Sequence, residues 1–214
     1  MSETDTGRFL TVEGIEGVGK STQVAALAQA LGARGIAYEL TREPGGTPLA
    51  EKIRSIVLEA GAEALPAAAE LLLMFAARAV HLANLIEPAL RSGRWVLCDR
   101  FTDATYAYQG GGRGIDPGFI GALEQGVQGR RRPDLTILLD LPVTAALERA
   151  ARRNRGATDR FERERGEFFE RVRASYLARA AREPGRMVVI SAEGAPAAVT
   201  AAILNVLVER RWIS

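Results

Sequence analysis

Short apolar segments alternate along the chain with longer segments whose apolar residues recur at helical spacing. The consecutive apolar residues of the short segments predict five strands, at residues 8–13, 37–41, 95–98, 135–139 and 187–190. The helical spacing predicts helices at about residues 20–34, 48–59, 64–92, 117–128, 144–154, 162–182 and 196–211. Strands that alternate with helices are typical of βαβ units around a parallel sheet. The pattern therefore predicts an α/β fold with a doubly wound, five-stranded parallel sheet flanked by helices.

Length, composition and charge exclude several classes of protein. The chain has 214 residues, of which 47% are hydrophobic, and we expect one globular domain spanning 1–214. Lys and Arg number 28 against 26 Asp and Glu, so the net charge of +2 is too balanced for a general nucleic-acid-binding protein. A single cysteine, Cys98, and a single histidine, His81, exclude a disulfide framework and a multi-histidine metal centre. We expect Cys98 to be a small buried hydrophobic residue and His81 to be packed or at the surface.

The N-terminus and the longest apolar stretch argue against export and membrane insertion. Residues 1–7 are polar and lack the apolar region of a signal peptide, and we expect them to be flexible. The apolar stretch at about residues 71–85 is interrupted by Arg78, His81 and Asn84 and falls short of the ~18 apolar residues of a membrane span. The sequence therefore predicts a cytoplasmic protein without a membrane partner.

Residues 14–21 match the phosphate-loop pattern G-x-x-x-x-G-K-[ST] at every specified position, between a predicted strand and a predicted helix. The glycines let backbone N–H groups converge on phosphate oxygens, and the helix start adds the positive end of its dipole. Lys20 would reach the β- and γ-phosphates, and the Ser21 hydroxyl would ligate Mg²⁺. The pattern predicts binding of ATP or GTP by the loop and the first helical turn, namely Gly14, Ile15, Glu16, Gly17, Val18, Gly19, Lys20, Ser21 and Thr22.

The sequence favours ATP over GTP as the nucleotide. The guanine-reading segment Asn-Lys-x-Asp of GTPases is missing, because the only lysines are Lys20 and Lys52. Two aspartates that follow predicted strands, Asp99 and Asp140, are candidates for the acidic partner of Mg²⁺. We favour Asp99, because Arg100 follows it and would place a cation for a phosphate group at the same strand end.

Four further motifs stand in the order and at the spacing of one known family. They are Arg42-Glu-Pro-Gly-Gly-Thr47, Phe75-Ala-Ala-Arg78, Asp99-Arg100 and Tyr106-Ala-Tyr-Gln-Gly-Gly-Gly-Arg-Gly114. Together with the phosphate loop, they make the segment from about Phe9 to at least Leu177 resemble the bacterial thymidylate kinases. The resemblance implies a P-loop NTPase fold with the strand order 2-3-1-4-5. It also implies that the γ-phosphate of ATP is transferred to dTMP, giving dTDP and ADP, with Mg²⁺ and in a homodimer.

The resemblance assigns residues to the nucleoside of dTMP. Phe75 would stack on thymine, and Arg78, near it on the same helix, would donate to a carbonyl oxygen of the base. Thr105 and Gln109 would bind the polar edge of thymine. Tyr108 would pack against the deoxyribose and leave no room for a 2′-hydroxyl.

The resemblance also assigns residues around the acceptor phosphate. Arg42 and Arg100 would clamp it, since a planar guanidinium can bond a phosphate bidentately. Glu16, inside the phosphate loop, would lie near the 3′-hydroxyl of the acceptor sugar. Glu43 and Pro44 resemble a segment that the family holds with a cis peptide bond.

Residues of about 149–162 are rich in arginine and resemble the family's lid. In this family the catalytic arginine lies either in the phosphate loop or in the lid, and residues 15–18 here are Ile, Glu, Gly and Val. The resemblance therefore implies the sub-type whose lid supplies the arginine, with Arg153 as the first candidate. The predicted catalytic residues are Lys20, Asp99, Arg100, Arg153 and Arg155.

A regulatory phosphate-loop ATPase that phosphorylates no nucleotide is the alternative function. Such a protein would hydrolyse ATP without an acceptor and would have no use for a base-reading pocket. The arginine run 130–132 has no interleaved aromatic residues and is more typical of a solvated loop than of a nucleic-acid contact. The predicted helix 64–92 is a candidate for the dimer interface.

Overall fold

A computed structural model describes residues 7–58, 64–154 and 161–214, with side chains for all of these except residues 153, 154 and 161–165. The predicted flexible terminus at 1–7 therefore lies outside the described residues except for Gly7. Of the two candidate lid arginines, Arg155 lies outside the described residues, and for Arg153 the side chain lies outside them.

Five strands form one parallel sheet in the order β2-β3-β1-β4-β5, which confirms the predicted fold class and topology. They are β1 (Phe9–Glu13), β2 (Tyr38–Arg42), β3 (Trp95–Asp99), β4 (Leu135–Asp140) and β5 (Met187–Ser191). Several strands run one residue beyond the predicted apolar segment, because ladder pairing continues to a polar residue. Arg42 pairs in register with Asp99, and Asp140 with Ser191.

Helices connect the strands close to where their spacing predicts them. The α-helices are α1 (Lys20–Ala33), α2 (Pro48–Leu58), α3 (Ala67–His81), α4 (Glu87–Arg91), α5 (Thr102–Thr105), α6 (Pro117–Gln128), α7 (Val143–Asn154), α8 (Phe161–Arg182) and α9 (Pro196–Glu209). The predicted helix 64–92 is observed as α3 and α4 joined by a π-helical segment, Leu82–Ile86.

A second π-helical segment, Tyr106–Gly112, follows α5 where the sequence predicts no helix. Its three consecutive glycines disfavour helix on propensity alone. The glycines instead allow a close approach of α8. A Cβ on Gly111 would lie 2.6 Å from the Cβ of Ser175, and a Cβ on Gly112 would lie 2.5 Å from the ring of Phe168. Packing against α8 therefore outweighs the local preference.

The core lies on both sides of the central strands. All five residues of β1 are buried, as are the first five of β4, which is the pattern of a sheet covered on both faces. Cys98 on β3 is fully buried and burial raises the pKa of its thiol, in agreement with the role of a small hydrophobic residue. By length and composition alone, the helical run Ala67–Arg91 could also cross a membrane, a test that core helices of globular proteins pass as well.

The strand order creates a crevice at the edge of the sheet where the candidate site residues lie. The chain runs from β1 to β2 in one direction along the sheet and from β3 to β4 in the other, so the order reverses between β1 and β3. Open α/β sheets bind ligands beyond the carboxyl ends of the strands at such a switch point. The phosphate loop follows β1, Glu43 follows β2, and Asp99 and Arg100 lie at the end of β3. Residues far apart in sequence thereby meet at one edge of the sheet.

Candidate active site

The phosphate loop fits between β1 and α7 only because its glycines lack side chains. Gly14, Gly17 and Gly19 have φ angles of 133°, 83° and 96°, which side chains rarely allow. A Cβ on Gly17 would lie 1.9 Å from the carbonyl oxygen of Ala146 in α7. Gly19 precedes α1 without a side-chain cap, so the first amides of this helix remain available to an anion.

Lys20 is held at the mouth of this loop. Its Nζ donates to the carbonyl oxygens of Gly14 at 3.1 Å and Ile15 at 2.9 Å. Burial, and then the neighbouring Arg100, lower the pKa of Lys20 to about 7, although Asp99 and two glutamates oppose the shift. Phosphate oxygens next to the amine would favour its charged form again. Ser21 and Thr22 follow on the first turn of α1 and are exposed.

The structure distinguishes the two candidate aspartates. Both carboxylate oxygens of Asp140 accept hydrogen bonds from Arg173 on α8, at 2.7 and 2.9 Å. Asp99 differs, because its buried Oδ1 has no hydrogen-bond partner among the described residues. A buried carboxylate oxygen without a donor suits a metal ion or its water. Asp99 is therefore the aspartate that fits Mg²⁺.

Arg100 is held in an unusual backbone conformation at the end of β3. Its φ is 71°, in the left-handed region. Its guanidinium donates to the hydroxyls of Tyr108 at 3.0 Å and Tyr176 at 3.2 Å, and it lies 4.7 Å from the centre of the Tyr108 ring. Burial alone would lower the pKa of Arg100, but the surrounding hydroxyls and carboxylates hold it above its usual value.

A cavity of about 290 Å³ opens beside Arg100. It brings together most of the residues predicted to bind the substrate, namely Glu43, Pro44, Arg78, Arg100, Thr105, Tyr108 and Gln109. The peptide bond between Glu43 and Pro44 is cis, as the family resemblance predicts.

Two side chains of the cavity wall have one free polar atom each. Arg78 is 3% exposed and donates from Nε to Glu43 at 2.7 Å and from Nη2 to Thr105 at 3.0 Å. Gln109 donates from Nε2 to Glu70 at 2.7 Å. The Nη1 of Arg78 and the Oε1 of Gln109 are buried and have no partner among the described residues. Both residues line the cavity, so its wall contains one unpaired donor and one unpaired acceptor.

His81 supports this wall from behind. It is fully buried, with Nδ1 3.0 Å from Glu43 and Nε2 2.7 Å from the hydroxyl of Thr41. The expectation that His81 is packed is confirmed, and the surface alternative is wrong. A Cβ on Gly46 would lie 2.5 Å from the histidine ring, so the glycine of the loop after β2 makes room for it.

Two residues predicted for the acceptor site are not among those that line the cavity. Phe75 is 2% exposed and packs with Leu71 and Ile120, outside the set of residues that line the cavity. Met74, its neighbour on α3, lines the cavity. Arg42 is 56% exposed and paired with Glu51 at 3.0 Å, also outside the lining. The stacking role of Phe75 and the phosphate role of Arg42 stay predictions.

The sequence gives no role for three other residues at the cavity, Arg54, Glu70 and Arg113. Arg54 on α2 lines the cavity and donates to the carbonyl oxygen of Pro44 at 2.8 Å, but in the sequence it is one arginine of an amphipathic helix. Glu70 and Arg113 pair at 2.7 Å at the cavity edge. Arg113 stands within the motif 106–114, but the motif gives no role for this arginine.

Glu13 and Tyr176 are a second pair that the sequence does not reveal. Glu13 ends β1 and is fully buried. Burial and the nearby Asp103 raise the pKa of the Glu13 carboxyl to about 7, although Arg100 and hydrogen bonds from Tyr176 and Phe101 favour its charged form. Glu13 is the last residue of an apolar strand, where the sequence indicates only core packing. Its partner Tyr176 is 163 residues away along the chain.

Glu16 lies half-buried in the phosphate loop and is close enough to Lys20 to raise the pKa of that amine.

In the arginine run at residues 130–132, Arg131 pairs with Glu87 at 2.6 Å and Arg132 with Glu124 at 2.9 Å. Two of these three arginines are therefore engaged in ion pairs within the protein.

Comparisons with known proteins agree on one family. The sequence model described as thymidylate kinase matches residues 12–203. A thymidylate kinase of Chromohalobacter salexigens is 60% identical over 205 residues, covering 95% of this chain and 96% of that protein. A thymidylate kinase of Pseudomonas syringae is 56% identical over 202 residues, covering 94% and 95%. The crystal structure of thymidylate kinase from Ehrlichia chaffeensis superposes with a TM-score of 0.76 at 33% identity, covering 94% of this chain and 99% of that one.

Proposed function

Because the chain belongs to the thymidylate kinase family, we propose that it transfers the γ-phosphate of ATP to dTMP, giving dTDP and ADP. The observation that carries this proposal is the pair of unpartnered polar atoms in the cavity wall, a donor on Arg78 and an acceptor on Gln109. Thymine presents a carbonyl at C4 beside an N–H at N3, which complements that pair.

The same pair would reject cytosine. Cytosine carries an amino group at C4 and a lone pair at N3, so each atom of the wall would face a group of its own kind. Buried polar groups left unpaired in this way lower affinity strongly, because both lose their water. Tyr108, which lines the cavity and packs with the aromatic rings of α8, is proposed to contact the deoxyribose.

Phosphoryl transfer depends on positioning and on positive charge around the moving group. We propose that Lys20 and the loop amides hold the donor phosphates and that Arg100 and Arg42 hold the acceptor phosphate. Asp99 and Ser21 would hold Mg²⁺, which neutralises charge on the donor phosphates when it is bound with ATP. Magnesium usually keeps waters and binds through one or two carboxylates plus substrate phosphates, which suits Asp99 with its unpartnered oxygen.

The lid completes the proposed site. Residues of about 149–162 would close over the nucleotides and supply Arg153 or Arg155 to the transferred group, as in the sub-type whose lid carries the arginine. Closure would also exclude water, which otherwise competes with dTMP for the γ-phosphate. Glu16 is proposed to lie near the 3′-hydroxyl of dTMP.

A panel of acceptors tests the function. Release of ADP from ATP is measured with dTMP, dUMP, UMP, dCMP and AMP and without any acceptor. We expect dTMP to give the highest kcat/KM, with dCMP and AMP far below it. If ATP were hydrolysed at the same rate without an acceptor, the alternative of a regulatory ATPase would replace the kinase.

Arg78 should contribute mainly to binding of the acceptor. Arg78→Lys keeps a charge beside Glu43 but loses the planar fork, so we expect KM for dTMP to rise about tenfold while kcat changes little. Arg78→Ala also strips the buried Glu43 of its ion pair, and its free energy of unfolding should fall by about 3–5 kcal/mol. Steady-state kinetics and thermal unfolding separate these effects. A normal KM with a lower kcat in the lysine variant would contradict the assignment.

We further propose a cytoplasmic homodimer that uses the exposed face of α3. Apolar residues at helical spacing remain exposed there, namely Ala68, Leu72, Ala76 and Ala79. Ala76→Arg would place charges in such an interface without disturbing the interior of one protomer. Sedimentation should then show a dimer for the unaltered chain and a monomer for the variant. Equal masses for the two proteins would rule this face out.

A further inference from the structure

Glu13 is a buried carboxylate that the proposed transfer step does not use. Its Oε1 accepts a hydrogen bond from the backbone N–H of Phe101 at 2.7 Å, and its Oε2 accepts one from the hydroxyl of Tyr176 at 2.6 Å. Burying an apolar residue at the end of a central strand would cost less free energy than burying a carboxylate. We therefore expect the carboxylate to hold in place the two groups that donate hydrogen bonds to it.

Both donors lead to the same residue, Arg100. The N–H of Phe101 belongs to the peptide directly after Arg100, whose φ of 71° side chains rarely adopt. The hydroxyl of Tyr176 accepts a hydrogen bond from the Nη1 of Arg100 at 3.2 Å. Glu13 thus fixes the backbone that follows Arg100 and, through Tyr176, one end of its guanidinium.

The remaining contacts of Arg100 leave donors available. A guanidinium has five N–H groups, and Nη2 uses one of its two on the hydroxyl of Tyr108 at 3.0 Å. Both terminal nitrogens donate to tyrosines, which fixes the plane of the guanidinium. Within the described part of the chain, the other N–H groups have no hydrogen-bond partner. Bidentate binding of a phosphate needs this fixed plane, and a shift of about 1 Å can cost as much as ~10²-fold in rate.

We propose that Glu13, acting through Tyr176, is a positioning residue that holds Arg100 in the orientation required by the acceptor phosphate. This inference rests on the proposed function, in which Arg100 binds that phosphate. It differs from a purely structural role in one respect: it should affect ligands that carry the phosphate and spare ligands that do not.

Tyr176→Phe removes one hydroxyl and keeps the ring in place. Glu13→Gln keeps the size and an acceptor for Phe101, but its amide N–H₂ would face the Tyr176 hydroxyl instead of accepting from it. Tyr106→Phe is the matched control, because the Tyr106 hydroxyl also donates to a carboxylate, Glu124, at 2.6 Å but lies outside the cavity lining.

Binding of dTMP and of thymidine is measured by calorimetry for each variant, together with kcat, KM and the melting temperature. We expect Tyr176→Phe and Glu13→Gln each to weaken dTMP about tenfold and to leave thymidine unchanged. The double variant should lose no more than the larger single loss, since both changes break one chain of contacts. Tyr106→Phe should change the melting temperature without changing the ratio of dTMP to thymidine affinity.

Two results would overturn the inference in distinguishable ways. Equal loss of dTMP and thymidine affinity, or a lower melting temperature with an unchanged affinity ratio, would make Glu13 and Tyr176 structural only, with the kinase function intact. If the unaltered chain failed to bind or phosphorylate dTMP, the proposed function would fail and this inference with it.

Discussion

Replacing Arg153 with alanine is expected to lower kcat by roughly 10³-fold, or about 4 kcal/mol, and to leave KM for dTMP nearly unchanged. The transferred phosphoryl group needs cations on several sides. The phosphate loop has no basic residue at positions 15–18, and Lys20 with Mg²⁺ would supply only part of the charge. The proposed acceptor site is the cavity, so the affinity for dTMP should not depend on the lid. Arg155→Ala is the second variant, to be measured in the same way.

Arg152→Ala is the matched control for the lid arginines. Arg152 is 79% exposed and pairs with Glu148 one helical turn away, so its loss should leave kcat within a factor of about two. Steady-state kinetics at saturating ATP and dTMP measures all three variants. Near-normal kcat in both Arg153→Ala and Arg155→Ala, or a large loss in Arg152→Ala alone, would show that the arginine is assigned to the wrong residue.

Lys20→Ala should lower kcat by about 10²–10³-fold, the range found when one preorganised donor to a developing charge is removed. The amine also donates to Gly14 and Ile15, so the variant should bind ATP more weakly as the loop loosens. Rates of dTDP formation and calorimetric ATP affinity measure both effects. Lys52, the other lysine of the chain, is exposed on α2, and Lys52→Ala provides the control. Full activity in Lys20→Ala would mean that the loop does not hold the donor phosphates.

The sequence predicts those parts of the structure that are determined by residues close together in the chain. The glycines of the phosphate loop are spaced for one backbone path, and the structure gives Gly14, Gly17 and Gly19 the positive φ that this path requires. The strands are predicted well because consecutive apolar residues suit a sheet covered on both faces. The strand order came from the family resemblance, since apolar pattern alone does not specify which strands pair.

The parts that sequence reasoning did not reveal depend on contacts between distant residues. Met74 lines the cavity, but in the sequence it is one of several apolar residues of α3, and nothing local marks it. The π-helical segment Tyr106–Gly112 forms against its glycine content because α8 packs there. Glu13 meets Tyr176 across 163 residues of chain, and neither residue has a local pattern to mark it.

The fate of the γ-phosphate tests the central claim most directly. The chain is incubated with Mg²⁺, dTMP and ATP radiolabelled at the γ-phosphate, and the products are separated. A kinase built on this cavity predicts that the label appears in dTDP, that it stays in ATP when dTMP is omitted, and that dCMP does not replace dTMP. Label that accumulates as inorganic phosphate at the same rate with and without dTMP would contradict the account.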